Sequence, residues 1–218
     1  MPREKMADKR QRAIVIEDRM SEHYPDPECA LVYGGDVFRL TIAVMLSAQT
    51  TDVAVNKVTP TLWQRYPTIA DLAQADPNDV ADIISSIGFY RNKSKNAIGI
   101  AQMVLADFGG EIPRDIDELQ ELPGVGRKTA NVVLNEGFGI VEGIAVDTHV
   151  NRIAHKLKLV PKDDDPKKTE IALLKLYPRQ YWRHINHQWV LFGRQICIAR
   201  RPKCEECFLA DLCPSCER

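Results

Sequence analysis

LPGVGRKTANVVLN (residues 122–135) sets a proline, two glycines and two adjacent cations at the entrance to a helical pattern. Leu122 and Val125 are apolar anchors, while Pro123, Gly124 and Gly126 permit a tight reversal whose backbone N–H groups point outward together. A helix starts near Gly126. Its unpaired N–H groups add to the same spot and make an anion site that needs no side-chain charge. The phosphate of a nucleic-acid backbone is the natural ligand for such a site, and an ordinary helical corner is the competing reading. Lys128 falls in the first helical turn, at the positive end of the helix dipole. Dipole and partial burial both disfavour its ammonium form, which is what an amine needs in order to attack carbon. A solvated or phosphate-contacting lysine is the alternative that spacing leaves open.

Outward from this corner the chain reads as nearly all helical. Residues 8–22 are amphipathic and stop at the Pro25/Pro27 stretch, and VFRLTIAVMLSA (37–48) is too apolar to keep a solvent face, so it is expected as a central helix packed all round. The next helix begins at Thr51 or Asp52 and carries Val53, Val55 and Val58. Thr68 with Asp71 has capping-box spacing, and Asp76–Pro77 is a cap followed by proline at the first helical position. Residues 93–108 run to a Gly109–Gly110 stop, and Asp115 with Glu118 opens a short helix leading to the corner. GFGIVEGIA (137–145) is an irregular crossing between two lobes. Asp147 then caps a helix through Leu157, PKDDDPKK (161–168) is a solvated turn before a helix near 168–176, and Tyr181–Phe192 is aromatic-rich and helical.

A chain of 218 residues affords a sizeable core in one large or two modest domains. It has no apolar run long enough for a membrane helix, and its opening is charged rather than secretory, so a cytoplasmic protein is expected. Lys+Arg 29 against Asp+Glu 30 argues against a protein that holds nucleic acid by net charge alone. The basic excess is local, with 14 basic against 10 acidic residues in 141–218. Five of six cysteines crowd into the last 22 residues, which reads as a metal site rather than a disulfide framework. Cys197, Cys204, Cys207 and Cys213 can hold zinc or an iron–sulfur cluster by ligand type. Cys216 stands outside that set, three residues beyond Cys213. Cys29 is read as a small buried apolar residue, and Asp147, taken alone, as an N-cap.

LPGVGRKTA, VDTH (146–149) and the cysteine spacing together resemble the endonuclease III family of DNA repair glycosylases. The resemblance runs from about residue 30 to 213 and implies an all-α, two-lobed helix-hairpin-helix DNA glycosylase fold with a C-terminal iron–sulfur cluster loop. Its lobes are a six-helix one from 30–140 containing the hairpin, and a second from 1–29 and 141–218 carrying one [4Fe–4S] cluster on Cys197, Cys204, Cys207 and Cys213. It implies a base excision repair enzyme, acting as a monomer on damaged double-stranded DNA, that removes oxidised pyrimidines and cleaves abasic sites. Lys128 is the implied nucleophile and Schiff-base former, and Asp147 its assistant. Gly124, Gly126, Arg127 and Thr129 form the backbone grip, and His149 and Arg152 line the face that carries Asp147 or contact phosphate. Gln49 in LSAQTTD fills the gap left by the flipped base, and Phe89 in IGFYRNK is the apolar wedge where the family often has leucine. Arg91, Lys93 and Lys95 supply phosphate attraction, and Arg200, Arg201 and Lys203 are DNA-facing groups beside the cluster. The implied setting is a bacterial or archaeal nucleoid. An adenine-removing glycosylase of the same superfamily is the nearest rival, but it typically lacks the hairpin lysine and carries an extra domain after the cluster. A non-enzymatic, metal-stabilised DNA-binding module accounts for the hairpin and cysteines but needs neither Lys128 nor Asp147.

Overall fold

The computed structural model describes residues 4–25, 27, 29–161 and 165–216, and among these there is no β-strand. The helices are α1 (Met6–His23), α2 (Val37–Leu46), α3 (Asp52–Arg65), α4 (Ile69–Ala73), α5 (Pro77–Ile83), α6 (Tyr90–Asp107), α7 (Ile116–Glu121), α8 (Arg127–Phe138), α9 (Thr148–Lys156), α10 (Pro166–Leu176) and α11 (Arg179–Gln195), followed by a short 3-10 turn at Cys204–Glu206. The chain divides into two compact units, Cys29–Glu142 and Met1–Glu28 with Gly143–Arg218. No helix among the described residues is long and apolar enough to cross a membrane.

In the unit Cys29–Glu142, α2 is the central element. Every residue from Phe38 to Leu46 is buried except Arg39, whose guanidinium lies 5.5 Å from the centre of the Trp63 ring. It packs against α3, α6 and α8, while α6 also covers α4 and α5. Local side chains start these helices as the sequence predicts. Thr51 accepts from Ala54 N–H, Thr68 and Asp71 form a reciprocal capping box, Asp76 precedes Pro77, and Asp115 accepts from Asp117 and Glu118 N–H.

The boundaries differ in three places. α2 ends at Leu46, two residues short of the expected end. α6 begins at Tyr90 rather than residue 93, because Phe89 takes a left-handed conformation and its carbonyl accepts from Lys93 N–H at 3.0 Å. α8 continues through Gly137 and Phe138, so the irregular crossing starts only after it. The stop is Gly139 at φ +67°, where Ile140 N–H reaches back to the Leu134 carbonyl at 2.9 Å. Of the valines that α3 carries, Val53 is 66% exposed, whereas Val55 and Val58 enter the core.

The second unit is built from α1, α9, α10, α11 and the cysteine loop, with Trp189, Ile16, Met20 and Leu209 fully buried in one core. Asp165 caps α10, which starts at Pro166, two residues earlier than expected. Residues 162–164 of the expected solvated turn lie outside the described residues. α1 clamps the cysteine loop. Arg12 Nη1 donates to the carbonyls of Leu157 and Leu212 at 2.8 and 3.2 Å. Arg19 donates to the Phe208 carbonyl and to both oxygens of Asp211, and the His23 ring stacks on Phe208 at 3.7 Å.

Candidate active site and cysteine loop

The stretch 122–126 is a hairpin turn between α7 and α8. Val125 N–H donates to the Leu122 carbonyl at 3.0 Å, and Gly124 sits at φ +76°, the arrangement of a type II turn with proline before glycine. A side chain at 124 would run into the Asn96 amide and approach Met45, so glycine is required by space as well as by φ. Leu122 and Val125 are buried and fix the turn to the core. Gly126 is the N-cap of α8 and offers no side-chain acceptor, so the first N–H groups of α8 have no side-chain cap. Arg127 and Lys128 are half-buried in that first turn. Thr129 is 8% exposed. Cys29 is half-buried rather than buried. Its thiol is pushed up by burial, with Glu136 and Asp52 raising it further, and Lys128 is close enough to oppose them. Sequence spacing carried no sign of that neighbourhood.

Gln49 and Phe89 share an uncommon geometry. Both are exposed non-glycine residues in the left-handed region, at φ +55° and +58°, each in a loop leading into a helix. Such conformations cost energy, and they concentrate at functional loops. Phe89 is 65% exposed, which rules out the core-aromatic reading. Lys93 corrects an expectation. It is 5% exposed, its amine is shifted down by burial, and its Nζ donates to Thr50 Oγ1 at 2.8 Å. It therefore fastens the start of α6, next to Phe89, to the loop that carries Gln49, instead of meeting phosphate. Arg91 and Lys95 are exposed, and the Arg91 guanidinium lies 5.0 Å from the Tyr90 ring centre.

In the other unit, Asp147 caps α9, and Oδ1 accepts from the N–H groups of His149 and Val150 at 2.8 and 2.9 Å. The backbone before it is held by Asn186, whose Nδ2 donates to the Ala145 carbonyl at 2.6 Å. His149 is held below the ordinary imidazole range, mainly by burial. Gly193 of α11 faces this helix so closely that a Cβ would meet His149 Nδ1 at 2.6 Å, so the glycine permits the α9–α11 approach. Arg152 also departs from expectation. Its Nη1 donates to the Cys197 carbonyl at 2.6 Å and contacts Cys197 Sγ at 3.5 Å, and its Nη2 lies 3.3 Å from His149 Nδ1. Arg152 ties α9 to the cysteine loop, and these contacts engage both ends of its guanidinium.

Cys197, Cys204, Cys207, Cys213 and Cys216 all line one cavity, floored by Ile153, Leu157 and Phe192. None is in a disulfide. Cys207 is pushed up to about 11, mainly by burial, with Cys197, Cys213 and Cys204 adding to the shift against a backbone N–H from Leu209. A thiol that resists ionising is a donor that a cationic metal group stabilises as the thiolate. Among the described residues no three His, Cys, Asp or Glu side chains are arranged to hold a metal ion. The thiols stand around a cavity, which fits a polynuclear cluster. Arg200, Arg201 and Lys203 are exposed beside it, with Lys203 Nζ 3.8 Å from Glu206.

Residues 42–179 match the model of the HhH-GPD superfamily of base excision DNA repair proteins, and residues 197–213 match the iron–sulfur binding domain of endonuclease III. Endonuclease III of Synechocystis sp. is 47% identical over 211 residues, 97% of this chain and 95% of that protein. Endonuclease III of Bacillus subtilis is 45% identical over 196 residues, 90% of this chain and 89% of that one. The solved structure of a trapped endonuclease III–DNA covalent intermediate, an estranged-adenine complex, aligns at a TM-score of 0.89 and 43% identity, covering 94% of this chain and 96% of that one. The chain belongs to the endonuclease III family of helix-hairpin-helix DNA glycosylases with abasic-site lyase activity, and its cysteine loop carries a [4Fe–4S] cluster.

Proposed function

We propose that this chain excises oxidised pyrimidines from duplex DNA and cuts the strand at the resulting abasic site, with Lys128 as nucleophile and Asp147 as its acidic partner. Lys128 Nζ attacks C1′ of the damaged nucleoside. The N-glycosidic bond breaks, and the base leaves with the bonding pair and takes up a proton. The amine and the opened sugar then form a Schiff base, an electron sink that acidifies the C2′ proton. Loss of that proton expels the 3′ phosphate, and hydrolysis of the imine returns the amine. Asp147 stabilises positive charge developing on the sugar and helps move protons. The observation that carries this role is the cap geometry. Both cap bonds use Oδ1, so Oδ2 takes no part in the cap while the carboxylate is held in place.

The remaining residues grip and open the duplex. Gly124, Gly126 and Arg127 hold a phosphate at the start of α8, in keeping with binding that ignores sequence. Phe89 wedges into the stack and Gln49 fills the vacated space, two roles that suit exposed side chains on strained loops. Arg91 and Lys95 attract the backbone, and His149 lines the lesion side of α9. The bound cluster supplies structural cross-linking of the loop, which positions Arg200, Arg201 and Lys203. The setting is the nucleoid of a bacterial or archaeal cell, and the acting form is a monomer.

Single-turnover incision of a duplex carrying one oxidised pyrimidine is the test. Wild type yields the β-elimination product, whereas Lys128→Gln leaves the strand intact. A folded Lys128→Gln protein that incises at the wild-type rate moves the nucleophile elsewhere.

A further inference from the structure

Cys216 has no place in the matched iron–sulfur segment, which ends at residue 213, yet it lines the same cavity as the four assigned thiols. The backbone explains how it gets there. Cys216 N–H donates to the Cys213 carbonyl at 3.2 Å, closing a single turn around Pro214 and Ser215. The same bond closes the other C-x-x-C pair, where Cys207 N–H donates to the Cys204 carbonyl at 3.3 Å. Cys216 thus follows Cys213 through the same backbone closure by which Cys207 follows Cys204, a pair in which both thiols are assigned as ligands.

We infer that Cys213 and Cys216 form a two-thiol corner in which Cys216 is a reserve ligand for the cluster. This rests on the [4Fe–4S] reading of the cavity. When the iron–sulfur bond to Cys213 breaks, Cys216 Sγ bonds to the same iron and its proton passes to Cys213. The exchange changes neither net charge nor oxidation state. A thiol held on the cavity wall by a one-turn loop recaptures iron faster than one arriving from solvent, because its effective concentration is set by the short tether. The corner adjoins Leu212, whose carbonyl accepts from Arg12 Nη1 at 3.2 Å.

The test measures iron and acid-labile sulfide per chain, the visible cluster absorption, and the alkylation of each cysteine mapped by mass spectrometry. Cys213→Ala is expected to keep its cluster, with Cys216 as protected from alkylation as Cys197, Cys204 and Cys207. Cys213→Ala/Cys216→Ala loses the cluster. A Cys213→Ala protein that folds without iron, or that holds iron while Cys216 is alkylated freely, overturns the inference. Should Cys213→Ala fail to fold, Cys216→Ala decides the matter. It is expected to lose iron to a chelator several-fold faster than wild type, and equal rates overturn the inference. Wild-type protein without iron or sulfide contradicts the cluster reading itself, which separates that failure from this one.

Discussion

Asp147 combines a helix cap with a proposed role at the sugar, and two substitutions separate them. Asp147→Ala removes the acceptor of both His149 and Val150 N–H, the only side-chain cap of a nine-residue helix. Losing such a cap costs about 0.5–2 kcal/mol. For a chain of this size that lowers the melting temperature by roughly 2–4 °C per kcal/mol. Asp147→Asn retains a side-chain oxygen for the same two bonds and is expected to melt within about 1 °C of wild type, since an asparagine cap is worth about as much as an aspartate. Neither variant supplies a carboxylate to the sugar. Both are therefore expected to slow single-turnover base excision by about 10²–10⁴-fold, the usual worth of a positioned acid or base. The assay pairs thermal denaturation with excision from a lesion duplex under enzyme excess. Asp147→Asn excising at the wild-type rate would refute the chemical role and leave Asp147 as a cap alone.

Phe89→Ala removes a side chain that is 65% exposed, so stability should change little. Excision should slow about tenfold or more if the ring repays roughly 1.4 kcal/mol of the unstacking cost, and unchanged excision argues against the wedge. Phe89→Gly should raise the melting temperature, because glycine holds φ +58° without the roughly 1 kcal/mol penalty of an L residue. Arg152→Ala breaks the bonds from α9 to the Cys197 carbonyl and sulfur, and iron loss to a chelator is expected to accelerate about tenfold or more, as charged hydrogen bonds are worth roughly 1.5–3 kcal/mol. Glu17 is fully buried beside Trp189, whose Nε1 donates to it at 2.9 Å, and burial raises its carboxyl from 4.5 to about 8. The folded state thus binds this proton more tightly than the unfolded one. Its contribution is full below 4.5 and is lost as pH rises to about 8. Urea titrations should show wild-type stability falling through that window, with a smaller fall in Glu17→Gln.

What the sequence disclosed was mostly local. Pro123, Gly124 and Gly126 announce the hairpin because φ and hydrogen-bond geometry there depend on adjacent residues. Thr51, Thr68, Asp76, Asp115 and Asp147 announce helix starts because a cap reaches only two or three residues ahead. The cavity of cysteines follows from spacing as well. Other features depend on contacts between distant segments. Lys93 reads as a surface cation until Thr50, 43 residues away, is seen to accept its hydrogen bond. Arg152 reads as a DNA contact until Cys197, 45 residues on, takes up its guanidinium. The clamp of α1 on the cysteine loop joins residues up to 200 apart, and no periodicity encodes it. Phe89 shows the limit within a local signal. Its identity suits a wedge or a core equally, and only its left-handed backbone and exposure separate them.

Borohydride reduction of the enzyme on an abasic duplex, followed by peptide mapping of the adduct, tests the central claim most directly. The account predicts one covalent complex per chain, with the reduced sugar on Lys128 and no trapped complex from Lys128→Gln. A trapped peptide centred on another lysine, or on the chain's amino terminus, would contradict it.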